Sequence, residues 1–422
     1  MLHDKNFRSG KAGEVFAALY GANGPAAAPE RYERIESAFI TRFGPGAYRL
    51  FSAPGRTEIG GNHTDHNAGR VLAAAVSLDT AAAVRVNGGN TVRLLSEGYD
   101  GEFTVDLTDL APRENEKGTT AALIRGVAAR MAELGFRLGG FDAYASSTVL
   151  RGSGLSSSAA FEVLVAAIFD GLFNTGGMDA KLRAQIAQYA ENRYFGKPCG
   201  LMDQMASSVG GLITIDFENA EAPVVEKVPF DFAATGYLLV VTDTGGSHED
   251  LTHEYAAIPA DMRAVAEHMG ASKLREVNPE AFFSAIPNLR GKVSDRAMLR
   301  AMHFFGDNAR VAAQVRALKA GNMQEFLRHV VESGDSSWRL LQNCAVIGSA
   351  EQGVTLALAL SERCLSGRGA WRVHGGGFAG TVLAVVPEAA LAEYVGGLGS
   401  VFGERACTVL TVRQPGAVEV NL

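Results

Sequence analysis

Hydrophobic and polar positions along this chain change period from segment to segment, and each change marks an element. Tyr32, Ile35, Phe39 and Ile40 recur at helical spacing and are closed by Gly44-Pro45-Gly46, which predicts a helix ending there. Residues 48–55 then read as a short strand running into a turn at Pro54-Gly55. Residues 56–67 are almost entirely polar or glycine, and the apolar run 71–76 follows them. Alternation over residues 84–105 predicts a hairpin turning at Asn87-Gly88-Gly89-Asn90. An amphipathic helix over 119–135 stops at Gly135, a strand covers 141–149, and residues 161–172 are apolar on most faces, as in a buried helix. A helix carrying Glu191 spans 180–195, strands follow Gly210-Gly211 and begin at Tyr237, and helices dominate 263–365. Gly375-Gly376-Gly377-Phe378-Ala379-Gly380 is followed by a strand rather than the helix a dinucleotide fingerprint needs, so it reads as a glycine loop packed closely against a ligand or another loop.

Composition narrows the class. With 422 residues and 47% hydrophobic content, the chain is long enough for more than one domain and for large cores. A net charge of −7 and the lack of a basic cluster exclude a nucleic-acid partner. The longest apolar stretch is interrupted by Ser77, Asp79 and Thr80, which excludes a membrane partner. The charged N-terminus carries no signal pattern, and Cys199, Cys344, Cys364 and Cys407 lack paired spacing. A cytoplasmic protein with reduced thiols is the expectation.

The candidate chemistry centres on Gly152-Ser153-Gly154-Leu155-Ser156-Ser157-Ser158-Ala159, between a predicted strand and a buried helix. Glycines let the backbone approach a ligand, and the first turn of the helix offers free N–H groups backed by the macrodipole, which together make a phosphate cradle. The Walker lysine is absent, and the bland reading is a serine-rich cap of a core helix. Asp203 follows Pro198 and Gly200 and is bracketed by Leu201, Met202 and Met205, so it is either a partnered acid or a helix-surface one. The polar segment 56–67 suits a small hydroxylated ligand, with a metal cluster at His63, Asp65 and His66 as the alternative. His248 and His253 stand five apart, about 500° around a helix, and do not form a zinc pair.

Taken together, four motifs resemble the galactokinase family of the galactokinase, homoserine, mevalonate and phosphomevalonate kinase superfamily. Gly55-Arg56 through Gly61-Asn62-His63-Thr64-Asp65 is similar to its sugar-binding signature, and Gly152 to Ala160 is similar to its phosphate loop. Pro198-Cys199-Gly200-Leu201-Met202-Asp203-Gln204 resembles its catalytic-aspartate segment, and the glycine loop at 375–380 its C-terminal motif. The resemblance implies a mixed α/β, two-domain small-molecule kinase fold, with residues 1–215 and 216–422 as the domains and the active site between them. It implies phosphoryl transfer from ATP to the anomeric hydroxyl of galactose. Asp203 would be the base or orienting group, Arg56 would stabilise the transferring phosphoryl group, and Ser158 and Glu191 would ligate Mg²⁺. Asn62, His63, Asp65, Gly200 and Tyr255 would line the sugar site, in a monomer.

The chain departs from the family pattern in four places. Asn62 replaces a Glu, Thr57-Glu58 replaces a small apolar residue and Asn, Leu150-Arg151 stands where Pro-Leu is common, and the arginines that usually follow Tyr255 are missing. N-acetylgalactosamine, galacturonate and L-arabinose are therefore alternative substrates, with Glu58 as a compensator for the lost acid. A non-catalytic sensor of galactose and ATP is the alternative of another class.

Overall fold

A computed structural model describes residues 6–21, 27–149, 154–219, 221–246 and 251–422. Helices α1 (Gly10–Tyr20) and α2 (Ala28–Phe43) precede strands β1 (Arg49–Gly60), β2 (Arg70–Val86), β3 (Thr91–Ser96) and β4 (Phe103–Asp106). Helix α3 (Thr120–Glu133) and β5 (Phe141–Ser147) lead to α4 (Ser157–Phe173), α5 (Ala180–Ala190) and α6 (Met202–Val209). Strands β6 (Leu212–Asp216), β7 (Val224–Lys227) and β8 (Tyr237–Asp243) are followed by α7 (Thr252–His268), α8 (Pro279–Leu289), α9 (Asp295–Lys319), α10 (Met323–Ser336) and α11 (Gly353–Leu365). The chain closes with β9 (Ala370–His374), β10 (Thr381–Pro387), α12 (Leu391–Phe402), β11 (Cys407–Leu410) and β12 (Val418–Glu419).

Local chemistry accounts for the boundaries. Pro29 in the first turn and Gly44 at φ 80° bound α2, and the Thr119 hydroxyl caps α3 by accepting from Ala122 N. Asp179 caps α5 in the same way, and that helix continues into one π-turn, Glu191–Phe195, which ends at Gly196 in the left-handed region.

An eight-stranded mixed sheet has the order β12-β1-β2-β5-β3-β4, with β6 on β2 and β7 on β6. The 17-residue β2 changes neighbour midway, pairing β6 through Arg70 to Ala74 and β5 through Thr80 to Val86. A second sheet, β11-β8-β10-β9, is antiparallel throughout.

Three expectations need correcting. The first strand does not turn at Pro54-Gly55 but passes through them to Gly60, with its pairing to β2 shifted between Pro54 and Arg56; a bulge is where a strand tolerates proline, which has no N–H to give the ladder. Arg56, Thr57 and Glu58 accordingly lie on a strand and not in a loop. Nor does Asn87-Gly88-Gly89-Asn90 join a hairpin, because β5 lies between β2 and β3, parallel to β3. The turn instead wraps the start of β5, where Asn87 N donates to Gly140 O at 3.1 Å and Gly140 N to Gly89 O at 2.7 Å. The hairpin in this region is β3-β4.

One core lies between the large sheet and α3 to α5, with Phe51, Val84, Ile124, Phe141 and Phe169 in it. Another joins the two sheets: Ile59 and Leu72 of the first, Leu155 and Ala160 of the phosphate loop and α4, and Leu239 and Leu383 of the second share it with Val311 and Phe326. The anticipated boundary at 215/216 falls at the end of β6, and β7 and β12 beyond it still belong to the first sheet. Among the described residues no helix is long and apolar enough to cross a membrane.

Candidate active site

The second half of β1, the start of α4 and the first turn of α6 meet at Arg56, Ser156 and Asp203. Arg56 is buried at the bulge. Its Nε donates to Asp203 Oδ1 at 2.7 Å, its Nη1 to the Gly154 carbonyl, and its backbone N to Leu155 O at 3.1 Å. One guanidinium thus ties the acid to the glycine loop in a charge-assisted pair. Ser156, which precedes α4, adopts φ 56°, and its hydroxyl donates to Asp203 Oδ2. Asp203 is thereby held from both sides while its side chain stays 26% exposed. A carboxylate so fixed can accept a proton from, or orient, a hydroxyl brought against it.

From Gly154 onward the loop leads into α4. Gly154 is at φ 70°, and a Cβ there would come 2.9 Å from His374 Nδ1. Among the described residues no side chain caps α4, so the N–H groups of Ser157, Ser158 and Ala159 lead a 17-residue helix with its positive end towards Asp203. Leu155 is in the core, and Gly152 and Ser153 lie outside the described residues.

Beside the loop is a buried acidic cluster. The Ser158 hydroxyl donates to Glu191 Oε1 at 3.0 Å, and Lys197 Nζ lies 3.4 Å from the same oxygen. Glu191 Oε2 accepts from Gln204 Nε2 at 2.7 Å and from the Cys199 thiol at 3.2 Å. Gln204 Nε2 also reaches Glu162 Oε2, 3.2 Å away. Glu162 is fully buried, and its Oε1 has no hydrogen-bond partner among the described residues; burial, with Glu191 nearby, pushes its pKa well up. Burial beside Glu191 raises the Cys199 thiol as well. A hydroxyl and a carboxylate, with a second acid behind them that has one oxygen without a partner among the described residues, fit Mg²⁺, which takes one or two protein carboxylates and keeps several waters.

Glu162 and the bridging role of Gln204 were missed by the sequence reading. A signal existed: Glu162 stands one helical turn after Ser158 on the same face, an acid inside an otherwise apolar run.

The sugar signature continues from β1. Gly61, at φ 88°, turns the chain where any Cβ would strike Arg70 O. Asp65 packs its carboxylate against Gly200, whose missing side chain leaves the room, and this contact brings the signature to within three residues of Asp203. His63 Nε2 lies 3.0 Å from Gly376 O. Desolvation, with His66 alongside, pushes its pKa down to about 4, so at neutral pH the ring is neutral, with Nε2–H donating and Nδ1 an acceptor. Tyr255 OH donates to Gly377 O at 2.9 Å, and its ring stands edge-on to Phe378 at 5.5 Å; burial raises its pKa to about 12. The glycine loop at 375–380 therefore packs against the signature, as a loop between two strands.

Two residues sit differently from expectation. Asn62 is 0% exposed, with its polar atoms bonded inside the protein. Glu58, anticipated as a compensator beside the sugar, points inward to Arg372 at 2.6 Å, and burial raises its pKa. Arg372 and Asn343, fully buried partners of these two, carry no sequence signal of their own.

Fold and site together define a small-molecule kinase of the galactokinase, homoserine, mevalonate and phosphomevalonate kinase class. The model of the GHMP kinases N terminal domain matches residues 122–211, and that of the galactokinase galactose-binding signature matches residues 37–86. The chain is 31% identical to the galactokinase of Streptomyces coelicolor over 385 residues, covering 90% of this chain and 89% of that one. It is 28% identical to the Clostridium tetani galactokinase over 361 residues, covering 85% and 88%. The chain belongs to the galactokinase family. Its fold matches Lactococcus lactis galactokinase solved with galactose, with a TM-score of 0.79 at 24% identity over 93% of this chain and all of that one. Methanococcus jannaschii mevalonate kinase shares the fold at a TM-score of 0.62 and 14% identity, covering 87% and 99%.

Proposed function

We propose that this protein is a galactose 1-kinase, transferring the γ-phosphoryl group of ATP to the anomeric hydroxyl of α-D-galactose. The observation that carries the reading is the grip on Asp203, held by Arg56 and by the Ser156 hydroxyl of the phosphate loop, in a chain of the galactokinase family.

In this reading Asp203 accepts or orients the proton of the attacking hydroxyl, and Arg56 offers its charge to the transferring phosphoryl group. The backbone N–H groups at the start of α4 cradle the phosphates of ATP. Ser158 and Glu191 would hold Mg²⁺, which would supply positive charge to the phosphates of ATP. Asp65 and His63 read ring hydroxyls, Gly200 makes the room, and Tyr255 closes the far side through the glycine loop. The site works between two domains, divided near residue 215, of a monomer in the cytoplasm.

The test is a coupled assay of ADP release with galactose, N-acetylgalactosamine, galacturonate and L-arabinose. Galactose is expected to give the highest kcat/KM. Another sugar ahead of it overturns the substrate, and no sugar-dependent turnover overturns the kinase reading.

A further inference from the structure

The position before the His-Thr-Asp triplet sits in the sugar signature, yet its hydrogen bonds are all spent inside the protein. An asparagine side chain has two N–H donors and two acceptor lone pairs. Asn62 Nδ2 donates to Glu58 Oε1 at 3.0 Å and to Gly375 O at 2.7 Å. Its Oδ1 accepts from Asn343 Nδ2 at 2.8 Å and from the Ser337 hydroxyl at 3.3 Å. The backbone is engaged too, N on Asp307 Oδ2 and O on His303 Nε2, each at 2.9 Å. Turning the amide over would set its oxygen against a carboxylate and a carbonyl, and its nitrogen against the Asn343 amide donor, so the neighbours fix its orientation.

From this saturation we infer that Asn62 is a positioning residue and not a sugar contact: with Glu58, Arg372 and Asn343 it pins the glycine loop against the sugar signature. The inference rests on the galactose kinase reading for its kinetic half only. Three consecutive carbonyls of the loop are claimed by separate side chains. Gly375 O takes Asn62, Gly376 O takes His63 and Asn343, and Gly377 O takes Tyr255. Glu58 Oε1 accepts from Asn62 and is ion-paired by Arg372, and both members of that pair are buried.

The network can be broken and mended. Asn62→Asp turns both donors into a carboxylate facing Glu58 and Gly375 O, while Glu58→Gln added to it returns one donor to the pair and keeps an acceptor for Arg372. Asn62→Asp is expected to lower the thermal midpoint and to raise the galactose KM about tenfold, with a smaller change in kcat. The double variant should recover a substantial part of both losses. The penalty each monodeoxygalactose suffers relative to galactose should stay within about twofold of the parent's, because no hydroxyl loses a direct partner. If Asn62→Asp does not fold, Asn62→Ser is measured in its place, alone and with Glu58→Gln, which should then bring no recovery because it supplies no missing charge partner. One deoxysugar losing its penalty in the Asn62 variant, or recovery failing in Asn62→Asp with Glu58→Gln, overturns the inference. The midpoints are read without substrate, so a parent inactive on galactose counts against the proposed function and leaves the network test standing.

Discussion

The two sides of the site use similar residues in opposite ways. On the phosphate side, Asp203 is gripped at both oxygens yet remains partly exposed. On the sugar-signature side, Asn62 and Glu58 are as polar, but each is closed into the protein by partners on β1, α9 and the second sheet. A group that acts on a substrate needs to be held and also reachable, whereas a fully satisfied group builds the walls. Buried polar networks are costly when partly broken, so the second kind should fail through stability and binding and the first through turnover.

The largest effect is expected at Asp203. Asp203→Asn keeps the size and an acceptor for Arg56 but removes the carboxylate, and kcat should fall by roughly 10²- to 10⁴-fold with the fold retained by circular dichroism. A variant with parental kcat would erase the contrast between the two sides.

A smaller effect is expected at Glu191, on the boundary between them. Its Oε1 meets Ser158, and its Oε2 is held by Gln204 and Cys199. Glu191→Gln should raise the Mg²⁺ concentration for half-maximal turnover by about tenfold, the scale of losing one charge-assisted ligand, and lower kcat without unfolding the chain. Titration of Mg²⁺ against initial rate reads this directly, and a variant matching the parent at limiting Mg²⁺ shows that Glu191 is not a ligand.

The contrast also explains what could be read in advance. Ser156, Ser158 and Asp203 could be singled out because glycines, serines and a proline mark their segments as short motifs, whereas Arg56, expected in a loop, lies on β1. The hydrogen-bonding state of Asn62 was not legible, since residue type tells which bonds a side chain can make and not which are already made. Its partner Asn343, and Arg372, which pairs with Glu58, come from the far end of the chain, and neither residue type announces the contact. The same limit applies to the fold. Helix ends such as Gly44 and Gly135 follow from local rules, but the insertion of β5 between β2 and β3 depends on long-range register that alternation alone does not encode.

On the proposed function, this site places phosphate on the anomeric oxygen of galactose. Incubating the protein with ATP, Mg²⁺ and galactose and following the product by ³¹P and ¹³C nuclear magnetic resonance tests it most directly. A single sugar phosphate is expected, its phosphorus coupled to the anomeric carbon in the α configuration. Phosphate on any other hydroxyl, or consumption of ATP with no sugar phosphate formed, would contradict it.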